Sequence, residues 1–120
     1  MENQTWYSIK NHEAVVTPSL LVYPARVQKN ISSMVNMIGD INRLRPHIKT
    51  HKTAEIIKMQ QEHGIFKYKC ATIPEAALLG KCGAEDVLLA LQPVGINVSR
   101  FFDLMGTYPK TTFSTLVDNV

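Results

Sequence analysis

Two histidines alternate with a lysine in residues 45–52, which read RPHIKTHK. Side chains on an extended backbone point to alternate faces, so we expect His47, Lys49 and His51 to project to one side. A lysine there is costly to bury unless its amine has a task. Neighbouring cations favour the neutral form of the amine, which a Schiff-base lysine needs. The segment therefore predicts a reactive amine at Lys49.

Two plainer interpretations of this segment stay open. A lysine in a basic stretch is usually a solvated surface residue. His47 and His51 have the spacing of a metal pair only on a helix, and Pro46 argues against a helix running through them. We therefore predict no metal site here, and expect the two histidines to orient Lys49 or to hydrogen-bond around it.

The positive charge of the chain is small but clustered. Thirteen Lys and Arg against ten Asp and Glu give a formal net charge of +3, which does not by itself indicate nucleic acid. One stretch holds a single acid, Glu55, and its local field suits an anionic ligand such as a phosphate. The cations of that stretch are Arg43, Arg45, Lys49, Lys52 and Lys58.

The composition is that of an ordinary globular protein. The 120 residues are 45% hydrophobic and 19% charged, which excludes a disordered tail and a collagen-like repeat. The sequence has no apolar run of about eighteen residues that could span a membrane. Residues 1–10 lack the pattern of a secretory signal, so we expect a cytoplasmic protein. Cys70 and Cys82 lack metal-ligand spacing and are expected to be buried free thiols.

Short strand-like runs alternate with helical patterns along the chain. This alternation predicts a parallel sheet joined by right-handed crossovers, and the absence of GxGxxG and GxxxxGK[ST] argues against a nucleotide-binding sheet. Thr72 is the expected N-cap of one helix, with Glu75 as its capping-box partner. Gly64 and Gly83 are expected helix stops, and Gly39 can shorten the first helix. The predicted strands are residues 19–23, 47–50, 66–71, 86–90 and 112–117, and the predicted helices are residues 25–44, 54–63, 76–82 and 97–106.

Three segments carry a resemblance to a known family. They read RPHIKTHKTAEII, KYKCATIPEAALL and DVLLALQPVG, and the opening TPSLLVYPARVQKNI fits the same pattern. Together they resemble the amino-terminal part of the pyridoxal-phosphate-dependent alanine racemase-type (fold type III) proteins, in the D-threonine aldolase and D-serine dehydratase-like branch. The resemblance implies an α/β fold, the N-terminal half of a (β/α)8 TIM-type barrel. It divides the chain into residues 1–24, with a leading strand that belongs to a second β domain, and residues 25–120, a partial barrel domain.

The resemblance also implies an activity. In that branch the lysine equivalent to Lys49 forms a Schiff base with pyridoxal phosphate, and His47, His51 and Thr72 are the other candidate cofactor contacts. The chain then resembles the N-terminal fragment of a lyase that cleaves a β-hydroxy-D-amino acid to glycine and an aldehyde, the fragment itself being inactive. A divalent metal is implied only for the full-length protein. The implied partners are a D-amino-acid substrate and a second copy in a homodimer, without nucleic acid or membrane.

Other functions stay open at this point. The same fold serves D-serine dehydratases and amino-acid racemases, and related barrels bind pyridoxal phosphate without catalysis, although their lysine lies in a plainer strand without the two histidines. Outside enzymes, the basic stretch could serve a small module that binds anions or nucleic acid. The low aromatic content near those charges weakens an interpretation as a single-strand binder.

Half a barrel has unpaired strand edges. A complete barrel needs about 250 residues, and the predicted strands at residues 47–50 and 112–117 would lie at the two ends of an open sheet. Exposed edges of this kind readily pair with another chain. We therefore expect the chain to pair with another copy or to rearrange near its ends.

Overall fold

The computed structural model describes residues 5–119. Residues 1–4, the start of the predicted first segment, and residue 120, the end of the predicted barrel segment, lie outside the described residues. The helices are α1 Pro24–Ile38, α2 Ala54–Gln61, α3 Ile73–Lys81 and α4 Ile96–Thr107. The strands are β1 Lys67–Cys70, β2 Asp86–Leu89 and β3 Thr112–Thr115. Single 3-10 turns lie at His12–Ala14, Ile41–Arg43 and Ile48–Thr50.

The three strands form one parallel sheet in the order β1-β2-β3. Lys67, Asp86 and Thr112 start the strands at the same register level. Helix α3 joins β1 to β2, and helix α4 joins β2 to β3. The predicted α/β class with a parallel sheet is therefore confirmed.

One face of the sheet carries the core. Tyr68 and Val87 are fully buried and Phe113 is nearly so, and they belong to the same hydrophobic cluster as Leu79 of α3 and Phe101 of α4. Since strand side chains alternate, the residues between them point to the other face. That opposite face carries the polar row of Lys67, Asp86 and Thr112 and the row of Lys69, Leu88 and Ser114.

Glycines end the helices where the sequence predicts it. The backbone after α2 turns at Gly64 with φ +83°, and the backbone after α3 turns at Gly83 with φ +78°. Only glycine adopts such angles without cost. Gly39 has φ +73° and ends α1 at Ile38, so the helix predicted for residues 25–44 is too long. The last strand is likewise shorter than the predicted 112–117.

Residues 19–23, the predicted strand of a second domain, form no strand with the described residues. These residues have no regular secondary structure and pair with no strand among residues 5–119, and Leu20 is 75% exposed. A strand needs a hydrogen-bonding neighbour, and the described residues offer none here. The segment before α1 is instead held by aromatic contacts, because the Arg26 guanidinium lies 3.3 Å from the centre of the Trp6 ring and the Tyr23 hydroxyl donates to Tyr7 O at 2.8 Å.

The predicted strand at residues 47–50 is wrong. Only His47 pairs with the sheet, through a parallel bridge to Lys69 of β1, and the chain then turns into the 3-10 segment Ile48–Thr50. The turn allows Ile48 to be fully buried, while the backbone N–H of His51 donates to Ile48 O at 3.1 Å. Burying one isoleucine thus replaces the alternating strand pattern with a turn.

No helix in the described part of the chain is long and apolar enough to cross a membrane.

Candidate active site

Lys49 lies on the turn that leaves the sheet after His47. We call residues 47–53 the Lys49 turn. Its start is fixed to β1 because Pro46 O accepts the N–H of Lys69 at 2.9 Å. The ring of His47 folds back and its Nδ1 accepts the backbone N–H of Lys49 at 3.2 Å. The Lys49 side chain is exposed, so its amine is presented to solvent at the end of the first paired segment.

His51 follows the 3-10 segment of the same turn and is partly buried. Its Nδ1 accepts the backbone N–H of Thr53 at 3.1 Å, which places the proton of the neutral ring on Nε2. Nε2 is buried and has no hydrogen-bond partner among residues 5–119. Burial lowers the pKa of His51. The carboxylate of Glu75 acts in the opposite direction, and the charge of Lys52 lowers the pKa further. The site therefore holds a neutral imidazole with a buried, unused donor.

Glu75 links the Lys49 turn to helix α3. It is 3% exposed, and its Oε2 accepts the backbone N–H of Ala71 at 2.8 Å. The ammonium of Lys52 lies 3.2 Å from Oε1. Burial raises the pKa of Glu75, but the Ala71 hydrogen bond and Lys52 outweigh it and leave that pKa below its usual value. The sequence identified Glu75 only as a helix cap, because its contact with Lys52 is not local.

Arg45 also has a carboxylate partner. Its guanidinium donates to Asp86 at 2.7 Å and 2.5 Å and to the carbonyl of Tyr68 at 3.2 Å. Arg45 and Lys52 are the cations that the sequence places near Lys49. Each of these two cations also has a carboxylate within ion-pair distance, a partner that the local sequence does not show.

The predicted site residues gather at one end of β1, but not on one strand face. His47 pairs in parallel with Lys69, so the residues that follow both run toward the carboxyl end of β1. Thr72 follows β1 at the same end and caps α3, accepting the N–H of Glu75 at 3.3 Å. The expectation that His47, Lys49 and His51 share a face of a strand fails because the backbone turns after His47.

A cavity of about 200 Å³ opens beside this end of the sheet. It lies between the loop after β1 and the loop after β2, and its lining includes the polar side chains of Thr72, Gln92, Asn97 and Arg100. His47, Lys49 and His51 are not part of its lining. Of the predicted site residues, the structure therefore brings only Thr72 to this cavity.

Within residues 5–119, no group of three or more His, Cys, Asp and Glu side chains is arranged to hold a metal ion. The Lys49 turn offers two groups for chemistry, the exposed primary amine of Lys49 and the buried, neutral imidazole of His51.

Part of the sequence is similar to a curated enzyme. No protein-family model matches it. It is 33% identical over 76 residues to D-threo-3-hydroxyaspartate dehydratase from Delftia sp. (strain HT23), a match that covers 62% of this chain and 20% of that enzyme. The chain thus spans about a fifth of the length of this relative.

The fold is similar to a solved enzyme structure. It matches D-threonine aldolase from Filomicrobium marinum with a TM-score of 0.75 and 27% sequence identity, over 88% of this chain and 28% of that protein. Both enzymes are of the fold type III class whose cofactor is pyridoxal phosphate, and both are lyases. This chain is accordingly similar, in sequence and in fold, to two pyridoxal-phosphate-dependent enzymes of fold type III, and it matches each of them over part of its length.

Proposed function

We propose that the chain is the N-terminal part of a pyridoxal-phosphate-dependent lyase similar to D-threonine aldolase, and that Lys49 binds the cofactor. The whole protein would cleave a β-hydroxy-D-amino acid to glycine and an aldehyde. The observation that carries the proposal is the position of Lys49, an exposed amine on a turn at the carboxyl end of β1. Active sites of (β/α)8 barrels lie at that end of the strands.

The residues of the Lys49 turn fit one end of the cofactor. An imine bond to pyridoxal phosphate needs a free primary amine, and the amine of Lys49 has no ion pair among the residues that the structure describes. The buried Nε2–H of His51 lacks an acceptor in the same part of the chain. A buried donor without a partner is costly unless a bound group completes it. The neutral imidazole and the free amine therefore suit a ligand that brings both a carbonyl and an acceptor.

Each candidate residue has a separate task in this proposal. Lys49 forms the covalent link. His47 fixes the backbone of Lys49 through its Nδ1, and His51 donates from Nε2. Thr72 would contact the cofactor from the cap of α3, where its hydroxyl hydrogen is not used by the bond to Glu75 N. When bound, pyridoxal phosphate supplies an electron sink for the α-carbon of an amino acid.

Reductive trapping tests the assignment of Lys49. The chain is incubated with pyridoxal phosphate, reduced with borohydride and digested, and the modified lysines are mapped by mass spectrometry. We expect Lys49 to be labelled several-fold more than Lys69, and Lys49→Arg to remove that label. Lys29→Gln, which removes an exposed lysine of α1, serves as the matched control. Label spread evenly over the lysines, or concentrated on a residue other than Lys49, would refute the assignment.

Dehydration is the second candidate reaction. The 33% identity to D-threo-3-hydroxyaspartate dehydratase favours dehydration, because that relative is a dehydratase. Aldol cleavage and dehydration both act on a β-hydroxy amino acid. The two differ in their products, because cleavage gives glycine and an aldehyde whereas dehydration gives ammonia and a keto acid. An assay of the whole protein for glycine and for ammonia from D-threonine and D-serine separates them. Racemisation releases neither product and would appear as a change in optical rotation.

The larger architecture is proposed as well. We propose that residues 25–120 form the first part of a (β/α)8 barrel, that residues 1–24 belong with a second β domain, and that the 120-residue chain alone is inactive. The parallel sheet and the 28% share of the aldolase structure support this. A cytoplasmic address stays a prediction from the sequence.

We also propose a homodimer. The outer edge of β3 has no pairing strand among residues 5–119, and open edges favour pairing with another chain. Sedimentation of the chain over a range of concentrations should show a dimer, and a monomer at every concentration would refute this proposal.

A further inference from the structure

Lys52 has an unusual backbone conformation. Its φ is +48°, and it is the only residue other than glycine with a positive φ in the part of the chain that the structure describes. The left-handed region places Cβ too close to the following carbonyl, so residues with a side chain avoid it. Such a conformation persists only where surrounding contacts impose it.

The side chain of Lys52 supplies those contacts. Its ammonium donates to the carbonyl oxygen of Lys49 and lies 3.2 Å from Oε1 of Glu75. The first contact is within the turn, and the second is with the first turn of α3. One cation therefore joins the backbone of Lys49 to a helix that follows β1.

Glu75 is more deeply buried than a helix cap requires. Its carboxylate is 3% exposed and accepts the N–H of Ala71 at 2.8 Å. A capping interaction works equally well at the surface, whereas burying an ionised carboxylate is costly unless it is paired. The partner that pairs this charge is Lys52, from a segment more than twenty residues away in the sequence. Capping alone does not account for this arrangement.

We propose that Lys52 and Glu75 form a bridge that positions Lys49, by fixing the backbone carbonyl of Lys49 against the start of α3. Fixing this carbonyl fixes the peptide plane after Lys49 and so restricts the direction in which the side chain of Lys49 leaves the backbone. Lys52 and Glu75 are thus positioning residues. Their importance for catalysis rests on the proposed function of Lys49 as the cofactor lysine.

Two substitutions break the bridge without removing the cap. Glu75→Gln keeps an amide oxygen for the N–H of Ala71 but removes the charge that pairs with Lys52. Lys52→Gln leaves Glu75 unchanged and removes the ammonium. Lys52→Arg keeps the charge and should restore the bridge. Lys29→Gln again controls for the loss of a surface lysine.

Hydrogen exchange gives a readout that is independent of the cofactor. In Glu75→Gln and Lys52→Gln, we expect amides of the Lys49 turn to exchange about tenfold faster, because loss of a charged contact frees the turn locally. Exchange in β1 and β2 should not change. Reductive trapping with pyridoxal phosphate should then show several-fold less label on Lys49, with recovery in Lys52→Arg.

The outcomes separate this proposal from the proposed function. If Lys49 is labelled in the wild-type chain, and both glutamine variants show the same labelling and the same hydrogen exchange as wild type, the bridge is refuted. The assignment of Lys49 as the cofactor lysine is then unaffected. If the wild-type chain does not label Lys49, the cofactor assignment fails, and exchange alone decides the bridge. Should Glu75→Gln fail to fold, Lys52→Gln decides, because it leaves the cap of α3 intact.

Discussion

The guanidinium of Arg45 forms a two-point ion pair with the carboxylate of Asp86, across the strand that lies between them. The N–O distances are 2.7 Å and 2.5 Å, and a third hydrogen bond runs from Arg45 to the carbonyl of Tyr68 at 3.2 Å. The residues before the Lys49 turn therefore hold to the sheet through a side chain as well as through the single bridge at His47. Lys49 is placed by contacts at both ends of its segment.

Replacing Asp86 with asparagine should weaken this attachment. Both side chains are about one third exposed, at 32% and 31%, so we expect a loss of about 1 kcal/mol in the free energy of unfolding at pH 7. Urea titration measures it. Asp103→Asn, which alters an exposed carboxylate on α4, should change stability by less than about 0.5 kcal/mol.

The same pair predicts a pH dependence. The hydrogen bond from Arg45 holds the pKa of Asp86 below its usual value, against the effect of burial and with help from the charges of Arg45 and Lys67. A carboxylate with a lowered pKa contributes stability above its unfolded pKa of about 4, and this contribution is lost as the pH falls through the lowered value. The difference in free energy of unfolding between wild type and Asp86→Asn should therefore decrease as the pH falls from 5 to 2. A constant difference would show that the charge of Asp86 is not what stabilises the fold.

Local patterns in the sequence predicted the cap of α3 and the turns after α2 and α3. The cap at Thr72 and the stops at Gly64 and Gly83 depend on neighbouring residues only, and the structure has them. The Lys49 turn could not be predicted in this way. Side chains that alternate in polarity over residues 47–50 are compatible with a strand. The chain forms a turn there instead because Ile48 is buried in the core, and that burial depends on packing against distant elements.

Charge partners were the other part that the sequence could not supply. Arg45 and Asp86 are 41 residues apart, and Lys52 lies in the Lys49 turn whereas Glu75 lies in helix α3. Between residues 43 and 58 the sequence contains one acid, Glu55, and neither Asp86 nor Glu75 lies in that stretch. The parallel register of β1 and β2 brings Asp86 to Arg45, and the packing of α3 after β1 brings Glu75 to Lys52.

A methyl group at Gly80 should destabilise the protein. Alanine usually stabilises a helix by up to about 1 kcal/mol relative to glycine. At Gly80, however, an added Cβ would lie 2.6 Å from Cγ and 2.7 Å from Cδ2 of the Tyr108 ring. These atoms lie near the root of the side chain, so the ring cannot turn away cheaply. We expect Gly80→Ala to cost about 1–3 kcal/mol in thermal or urea unfolding.

Gly106 provides the matched control for that substitution. It lies in α4, and nothing among the described residues comes within 4 Å of an added Cβ. Gly106→Ala should be neutral or stabilising by up to about 1 kcal/mol. The double variant Gly80→Ala with Tyr108→Ala should lose less stability than the sum of the two single variants, since Tyr108→Ala removes the ring that the added methyl group would contact. Additive effects of the two substitutions would contradict the proposed clash.

The hydroxyl of Tyr68 should stabilise the core at neutral pH. Tyr68 is fully buried and donates to Ile65 O at 2.8 Å. Removing the hydroxyl in Tyr68→Phe leaves that carbonyl with one partner fewer, and we expect a loss of about 1 kcal/mol in urea unfolding at pH 8. Tyr7→Phe is the control, because Tyr7 is 57% exposed.

Alkaline pH gives a second test of Tyr68. Burial, and to a lesser extent Cys82, raises the pKa of Tyr68 well above its usual value. The contribution of a group with a raised pKa is complete below its unfolded pKa of about 10 and is lost as the pH rises through the folded value. Wild type should therefore lose more stability than Tyr68→Phe between pH 9 and pH 11. Equal losses would show that the hydroxyl ionises as easily in the folded protein as in the unfolded one.

The two free thiols should differ in reactivity. Burial, with a smaller effect of Glu75, raises the pKa of Cys70 to about 12, and its side chain is fully buried. Burial also raises the pKa of Cys82, but that residue is only half-buried. Because the thiolate is the reactive form and must be reached by the reagent, Ellman's reagent at pH 8 should modify Cys82 first. We expect Cys70 to react on the order of a hundredfold more slowly, at a rate set by opening of the fold.

Variants that keep a single thiol assign the fast and the slow phase of modification to Cys82 and Cys70. Cys82→Ser should show only the slow phase, and that phase should accelerate in mild urea as the fold opens. Cys70→Ala should show only the fast phase, with little response to the same urea. Rapid modification of Cys70 in native buffer would contradict its burial between the sheet and the helices, and with it the packing that supports the carboxyl end of β1 and the Lys49 turn.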